Sequence, residues 1–184
     1  ASILGVKLTQ VRAGLPDLDT PHRMLTVNGE AEGPTGEFLK FIESSPVFDA
    51  IDRFTESVHA EGRGRLALKL TIPLDNTKDT RVAGAYQFIN NQLQSADDLF
   101  PFEQVNGRLE FTEAGVRVPN ATMTVLGGPA TLTGATQRDG TVRLGMSGRA
   151  NLDNFRRSTT ALWAQSLRGA SDWRASVTLR KRLA

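Results

Sequence analysis

Side chains able to do chemistry are few in this 184-residue chain, and they do not converge. No cysteine is present, which excludes thiolate nucleophiles, disulfides and cysteine-held metals. His22 lies in a loop flanked by Pro16 and Pro21, near Asp17 and Asp19. That set lacks the spacing of a calcium or zinc loop, so a plain polar loop accounts for it. His59 falls in a strand-like stretch, with no acid at a spacing that would orient it as a base. Asp97 and Asp98 with Glu103 read as a solvated loop rather than paired carboxylates. Gly127-Gly128 is followed by no Lys-Ser/Thr and opens no helix, so it is not a phosphate cradle. Ser158, Ser166 and Ser171 have no nucleophile-elbow context. Trp163 and Trp173 suit core or interface anchoring better than sugar stacking. The chain is therefore expected not to be an enzyme and to use no cofactor or metal.

Charge points the same way. The 22 basic and 20 acidic residues leave a net charge of +2, and the basic ones are scattered. With one tyrosine available for base stacking, no nucleic-acid partner is expected. Basic residues crowd only the tail, at Arg168, Arg174, Arg180, Lys181 and Arg182. They read either as the charged margin of a terminal edge strand or as contacts for anionic lipid headgroups. No apolar run approaches the roughly 20 residues that a spanning helix needs.

What remains is hydrophobic patterning. A hydrophobic content of 39% is enough for a folded core. Residues 104–134 alternate apolar and polar positions between glycine-marked turns: Val105, Gly107, Leu109 and Phe111, then Val116 and Val118, then Met123 and Val125 beyond a break at Pro119-Asn120. Period-two alternation of this kind predicts an antiparallel meander with one apolar face. Leu66, Leu68, Leu70 and Ile72 form the cleanest run, and Val82 to Phe88 return from it, with Asn90-Asn91-Gln92 leading out of the strand. Ile3 to Val11 and Met24 to Ala31 read as earlier strands. Val142, Leu144 and Met146 follow an Asp139-Gly140 hairpin signal.

Helical spacing replaces alternation in two places. Phe38, Leu39, Phe41 and Ile42, then Val47, Phe48, Ile51 and Phe54 predict two short helices over 35–54, broken at Ser44-Ser45-Pro46. A further helix is expected over 151–166. The resulting fold class is β-rich α+β: a curved, mostly antiparallel sheet of about nine to eleven strands forming a groove, with two helical insertions. Its order is strands over 1–32, helices over 35–54, strands over 57–150, a helix over 151–166 and a terminal strand over 173–182. Gly29-Glu30-Ala31 before the first helix is echoed by Gly148-Arg149-Ala150 before the second, as in a repeated strands-then-helix unit. Both ends look cut, as in a single segment of a longer rod.

The sequence Glu110-Phe111-Thr112-Glu113-Ala114-Gly115-Val116 followed by Leu126-Gly127-Gly128-Pro129 resembles the YhdP family of AsmA-like proteins. So does the order of Gly33-Pro34, Ser45-Pro46-Val47, Gly62-Arg63-Gly64 and Leu70-Thr71-Ile72-Pro73-Leu74, over about Leu25 to Trp173. The resemblance implies an envelope protein of Gram-negative bacteria, tethered to the inner membrane by an N-terminal helix that this chain lacks. It implies a periplasmic β-rich rod that carries phospholipid between inner and outer membranes and maintains the outer-membrane barrier. Its partners would be phospholipid and neighbouring segments of the same protein. On that reading Leu66, Leu68, Leu70, Ile72, Val105, Leu109, Phe111, Val125 and Leu144 are the candidates for an acyl-chain groove. The same residues also suit a closed core beneath the helices. A scaffold module binding protein partners through its sheet edges is the alternative function.

Overall fold

A computed structural model describes residues 2–3, 6–15, 23–43, 58–76, 79–95, 101–158, 162–166 and 168–179. Among these residues, ten strands form one open sheet in which the order in space is the order in sequence. They are β1 (Ser2–Ile3), β2 (Val6–Gly14), β3 (Met24–Pro34), β4 (Val58–Pro73), β5 (Arg81–Ser95), β6 (Phe102–Thr112), β7 (Gly115–Val125), β8 (Gly128–Thr136), β9 (Val142–Asn151) and β10 (Ala170–Leu179). Every pairing is antiparallel. Helix α1 (Thr35–Glu43) is inserted between β3 and β4. Helix α2 (Leu152–Ser158) and a 3₁₀ turn (Leu162–Ser166) are inserted between β9 and β10.

Strict antiparallel succession places alternate connections at opposite ends of the sheet. The two helical insertions therefore lie at one end, together with the β7–β8 turn. We call this the helix end. The opposite, turn end carries the short links around Asn76–Asp79, Glu113–Ala114 and Gln137–Thr141, each held by local hydrogen bonds. In the last of these, Asp139 accepts from the Thr141 amide at 3.0 Å and from its hydroxyl at 2.7 Å.

Several expected boundaries change. The stretch from Ile3 to Val11 is not one strand: Ile3 pairs with Val6, so it folds back as the β1–β2 hairpin. Asn90 does not end β5, which continues to Ser95. Asn90 (φ 50°) and Gln104 (φ 52°) instead take left-handed backbone conformations at irregularities in the β5–β6 register. There the Asn90 amide donates to Asn106 Oδ1 at 2.9 Å, and Asn106 Nδ2 donates to the Gln104 carbonyl at 2.9 Å. Pro119-Asn120 likewise does not break β7. The missing amide is absorbed by a register shift against β8 between Val118 and Ala121. The expected helix over 151–166 divides into α2 and the 3₁₀ turn, and the last strand starts at Ala170 rather than at residue 173. The proposed second helix near 46–54 lies outside the described residues, as do residues 180–182.

Candidate functional site

Side chains directly opposite across antiparallel strands share a face, so the register sorts the whole sheet. Ala31, Leu66, Tyr86 and Leu109 form one rung, and Val11, Gly29, Leu68, Gly84, Phe111 and Val116 the next. Val27, Leu70 and Val82 follow, then Leu25 and Ile72. On the later strands Val118, Gly134, Leu144 and Val177 align, as do Leu132, Met146 and Ala175. One face is thus apolar from β2 to β10.

The other face carries the charges. Glu32 meets Arg65 at 3.2 Å, Glu110 meets Arg117 at 3.4 Å and Arg149 meets Asp172 at 3.4 Å, each directly across a strand pair. These pairs are solvent-exposed and contribute little stability, but they oppose a one-residue slip that would exchange the two faces. A broad hollow of about 810 Å³ also lies mainly on this side, where Ala67, Ala83 and Ala85 sit low between Arg12, Lys69 and Arg108.

All nine groove candidates fall on the apolar side, but their environments differ. Val105 (3% exposed) and Val125 (6%) are buried at the helix end with Ala121, Met123 and Ala130. Leu66, Leu68, Leu70, Ile72, Leu109, Phe111 and Leu144 are half-buried. Among the described residues the cover over this face is therefore uneven: closed toward the helix end and thin toward the turn end, where Val11 and Val177 are exposed.

The closure has an identifiable construction. Phe38 of α1 is 3% exposed and packs edge-to-face on Tyr86 at 5.2 Å, and Tyr86 on Phe88 at 4.8 Å. Beneath the helix start lies a buried polar chain. Tyr86 Oη donates to Thr35 Oγ1 at 2.9 Å, Thr35 Oγ1 donates to Asn91 Oδ1, and Asn91 Nδ2 donates to the Arg63 carbonyl at 2.8 Å. Burial pushes the Tyr86 phenol up to about 12, against the lowering effect of its bond to Thr35. Gly64 makes room for this arrangement, since a Cβ there would lie 2.1 Å from Tyr86 Oη. Gly62, with φ +113°, lies against Asn91 in the same way.

This network is the feature that reading the sequence missed. Its traces were the lone tyrosine and the Gly62-Arg63-Gly64 motif, but only the register brings them to Thr35.

At the second insertion Asn151 Oδ1 caps α2 by accepting from the Asn154 amide at 3.0 Å. Phe155 and Ala150 are buried there. Gly127 and Gly128 serve packing: a Cβ on Gly127 would strike the Phe155 amide at 2.4 Å, and one on Gly128 the Arg149 carbonyl at 1.8 Å.

Among the described residues the groups weighed for chemistry stay apart. His59 is exposed on β4 opposite Gln94, Glu103 is on β6, Ser166 is exposed, and the Ser171 hydroxyl bonds the Asp172 carbonyl at 3.3 Å. Ser158 ends α2 and Trp163 lies in the 3₁₀ turn. Trp173 packs against the cluster around Met123 and Ala130, as an anchor would. His22, Asp17, Asp19, Asp97 and Asp98 lie outside the described residues. Among the described residues no group of three or more His, Asp or Glu side chains could hold a metal ion, and no helix is long and apolar enough to cross a membrane.

Comparison with known proteins gives one result. The family model described as YhdP protein matches residues 1–183. No curated protein and no solved structure matches the chain.

Proposed function

The chain belongs to the YhdP family, and from that membership we propose that it is a lipid-handling segment of an AsmA-like envelope protein. It works in the periplasm within a longer chain tethered to the inner membrane. It serves phospholipid transfer between the two membranes, and so the outer-membrane barrier, without catalysis. The observation carrying this reading is the apolar side-chain face that runs through successive strands and, among the described residues, is closed toward the helix end and half-buried elsewhere.

Acyl chains lie along this face and headgroups stay in water. Each buried methylene contributes about 0.8 kcal/mol, so a few turns of contact retain a lipid without any specific polar partner. Neighbouring segments of the same protein extend the face from strand to strand.

The test is lipid extraction from freshly purified protein, followed by mass spectrometry. Wild type should yield phospholipid, and Leu70→Asp, at a half-buried position, should yield far less while staying folded. Folded Leu70→Asp protein that keeps its lipid would place the binding face elsewhere. Lipid-free wild type that instead captures protein through the exposed β10 edge would favour a scaffold.

A further inference from the structure

Two glycines occupy the same rung of the apolar face and are treated differently. Gly84 is covered: a Cβ there would lie 2.3 Å from the Phe111 ring, which rests across its backbone. Gly29 is uncovered. Among the described residues the nearest atom to its Cβ position is the Gln10 carbonyl oxygen at 4.0 Å, and its backbone is not left-handed. Nothing in the conformation of β3 requires glycine at this position.

The gap has a definite shape. Val11 on β2 and Leu68 on β4 stand on either side of Gly29. Strands are spaced about 4.8 Å apart, so these walls stand roughly 10 Å apart at the backbone. A single file of methylenes touching both walls needs about 8 Å between wall carbons. A peptide would bring amides with no partners on such walls. Along β3 the row Leu25, Val27, Gly29, Ala31, Gly33 falls from large to small toward the helix end, and Ala31 is closed over by Phe38. From Leu25 to Gly29 the row is about 13 Å long. Among the described residues it is closed at the helix end by Phe38 over Ala31 and uncovered above Gly29.

We propose that Gly29 is a specificity-determining residue: it seats the terminal methylenes of an acyl chain and so sets how long a chain this segment accepts. This rests on the lipid-handling reading above. The experiment uses vesicles of dimyristoyl- or distearoyl-phosphatidylglycerol, with retained lipid measured after gel filtration. Gly29→Leu fills the slot and should lower distearoyl retention about tenfold relative to dimyristoyl, the equivalent of roughly two methylenes returned to water. Gly145→Leu is the matched control, because Gly145 is equally open but lies on the polar face opposite Thr133. It should behave as wild type.

If Gly29→Leu fails to fold, as judged by circular dichroism, Gly29→Ala replaces it. It adds one methyl group where nothing described lies closer than 4.0 Å, and should give a smaller loss with the same chain-length bias. Wild type that loads lipid while the folded Gly29 variant loads both lipids equally well overturns this proposal and leaves the lipid-handling reading standing. An equal loss in Gly145→Leu overturns it too. Wild type that loads neither lipid removes both.

Discussion

The helix end and the turn end of this sheet are made from the same alternating strands, yet they are held together by different physics. At the helix end Val105, Met123, Val125, Phe38 and Tyr86 are buried, and a hydroxyl–amide chain ties the start of α1 to β4 and β5. At the turn end Leu70, Ile72, Val82 and Phe111 keep part of their surface in water. There the strands are closed by polar turn chemistry, such as the Val82 amide donating to Glu113 at 3.0 Å. One end is a core. The other is an apolar surface that is only half-buried among the described residues. A sheet uniform in sequence pattern can thus divide a buried core from a half-exposed apolar surface along the length of its strands.

Truncation is the strongest way to break this contrast. Phe38→Ala should cost about 3–5 kcal/mol in urea unfolding, as for other buried aromatics, whereas Leu70→Ala should cost roughly half as much because its side chain is only half-buried. Equal losses would mean that the two ends share one core.

The buried polar chain sharpens the contrast further. Asn91→Leu leaves the Thr35 hydroxyl and the Arg63 carbonyl without their partner and should cost about 1–3 kcal/mol. The same change should also free the start of α1, seen as faster amide exchange there but not at residues 113–116.

Acid and base should act on opposite ends. The folded pKa of Tyr86, about 12, lies above the ordinary value of 10.0, so its protonated form favours the fold. That contribution is complete below pH 10 and is lost as pH rises toward 12. Absorbance of the single tyrosine reports the titration directly. At the turn end the carboxyls of Glu113 and Asp139 are held below their usual range, chiefly by hydrogen bonds: for Glu113 from its own backbone and the Val82 amide, for Asp139 from Thr141. Their contribution, present above the ordinary carboxylate range, is lost as pH falls through the lowered values. Acid should therefore loosen the turns, as amide exchange would show, while the Phe38–Tyr86 contact persists.

The smallest expected effect is on the polar face. Glu110→Gln should cost only about 0.2–1 kcal/mol, and less in high salt, since exposed pairs are screened.

Much of this was legible in the sequence. Alternation placed Leu66, Leu68, Leu70 and Ile72 on one face, and the register agrees. The echo between Gly29-Glu30-Ala31 and Gly148-Arg149-Ala150 also has a structural meaning. Each precedes a helix inserted between adjacent antiparallel strands at the same end of the sheet, and Ala31 and Ala150 are both buried. Turn-like residues inside strands were not legible. Asn90 and Pro119 carry the local signals of chain reversal, but neighbours on both sides hold the strand through them as register shifts. The unequal cover of the apolar face was also hidden, because a period of two reports which side a residue takes and not what lies over it.

The sequential order of the ten strands has a further consequence. Among the described residues each is bonded only to the strand before it and the strand after it, so no distant part of the sheet must be found before a given pair can form. A hairpin duplicated or deleted would leave every other pairing partner unchanged. The architecture can grow or shrink by whole ribbons, with the reach of its greasy side set simply by how many are strung together.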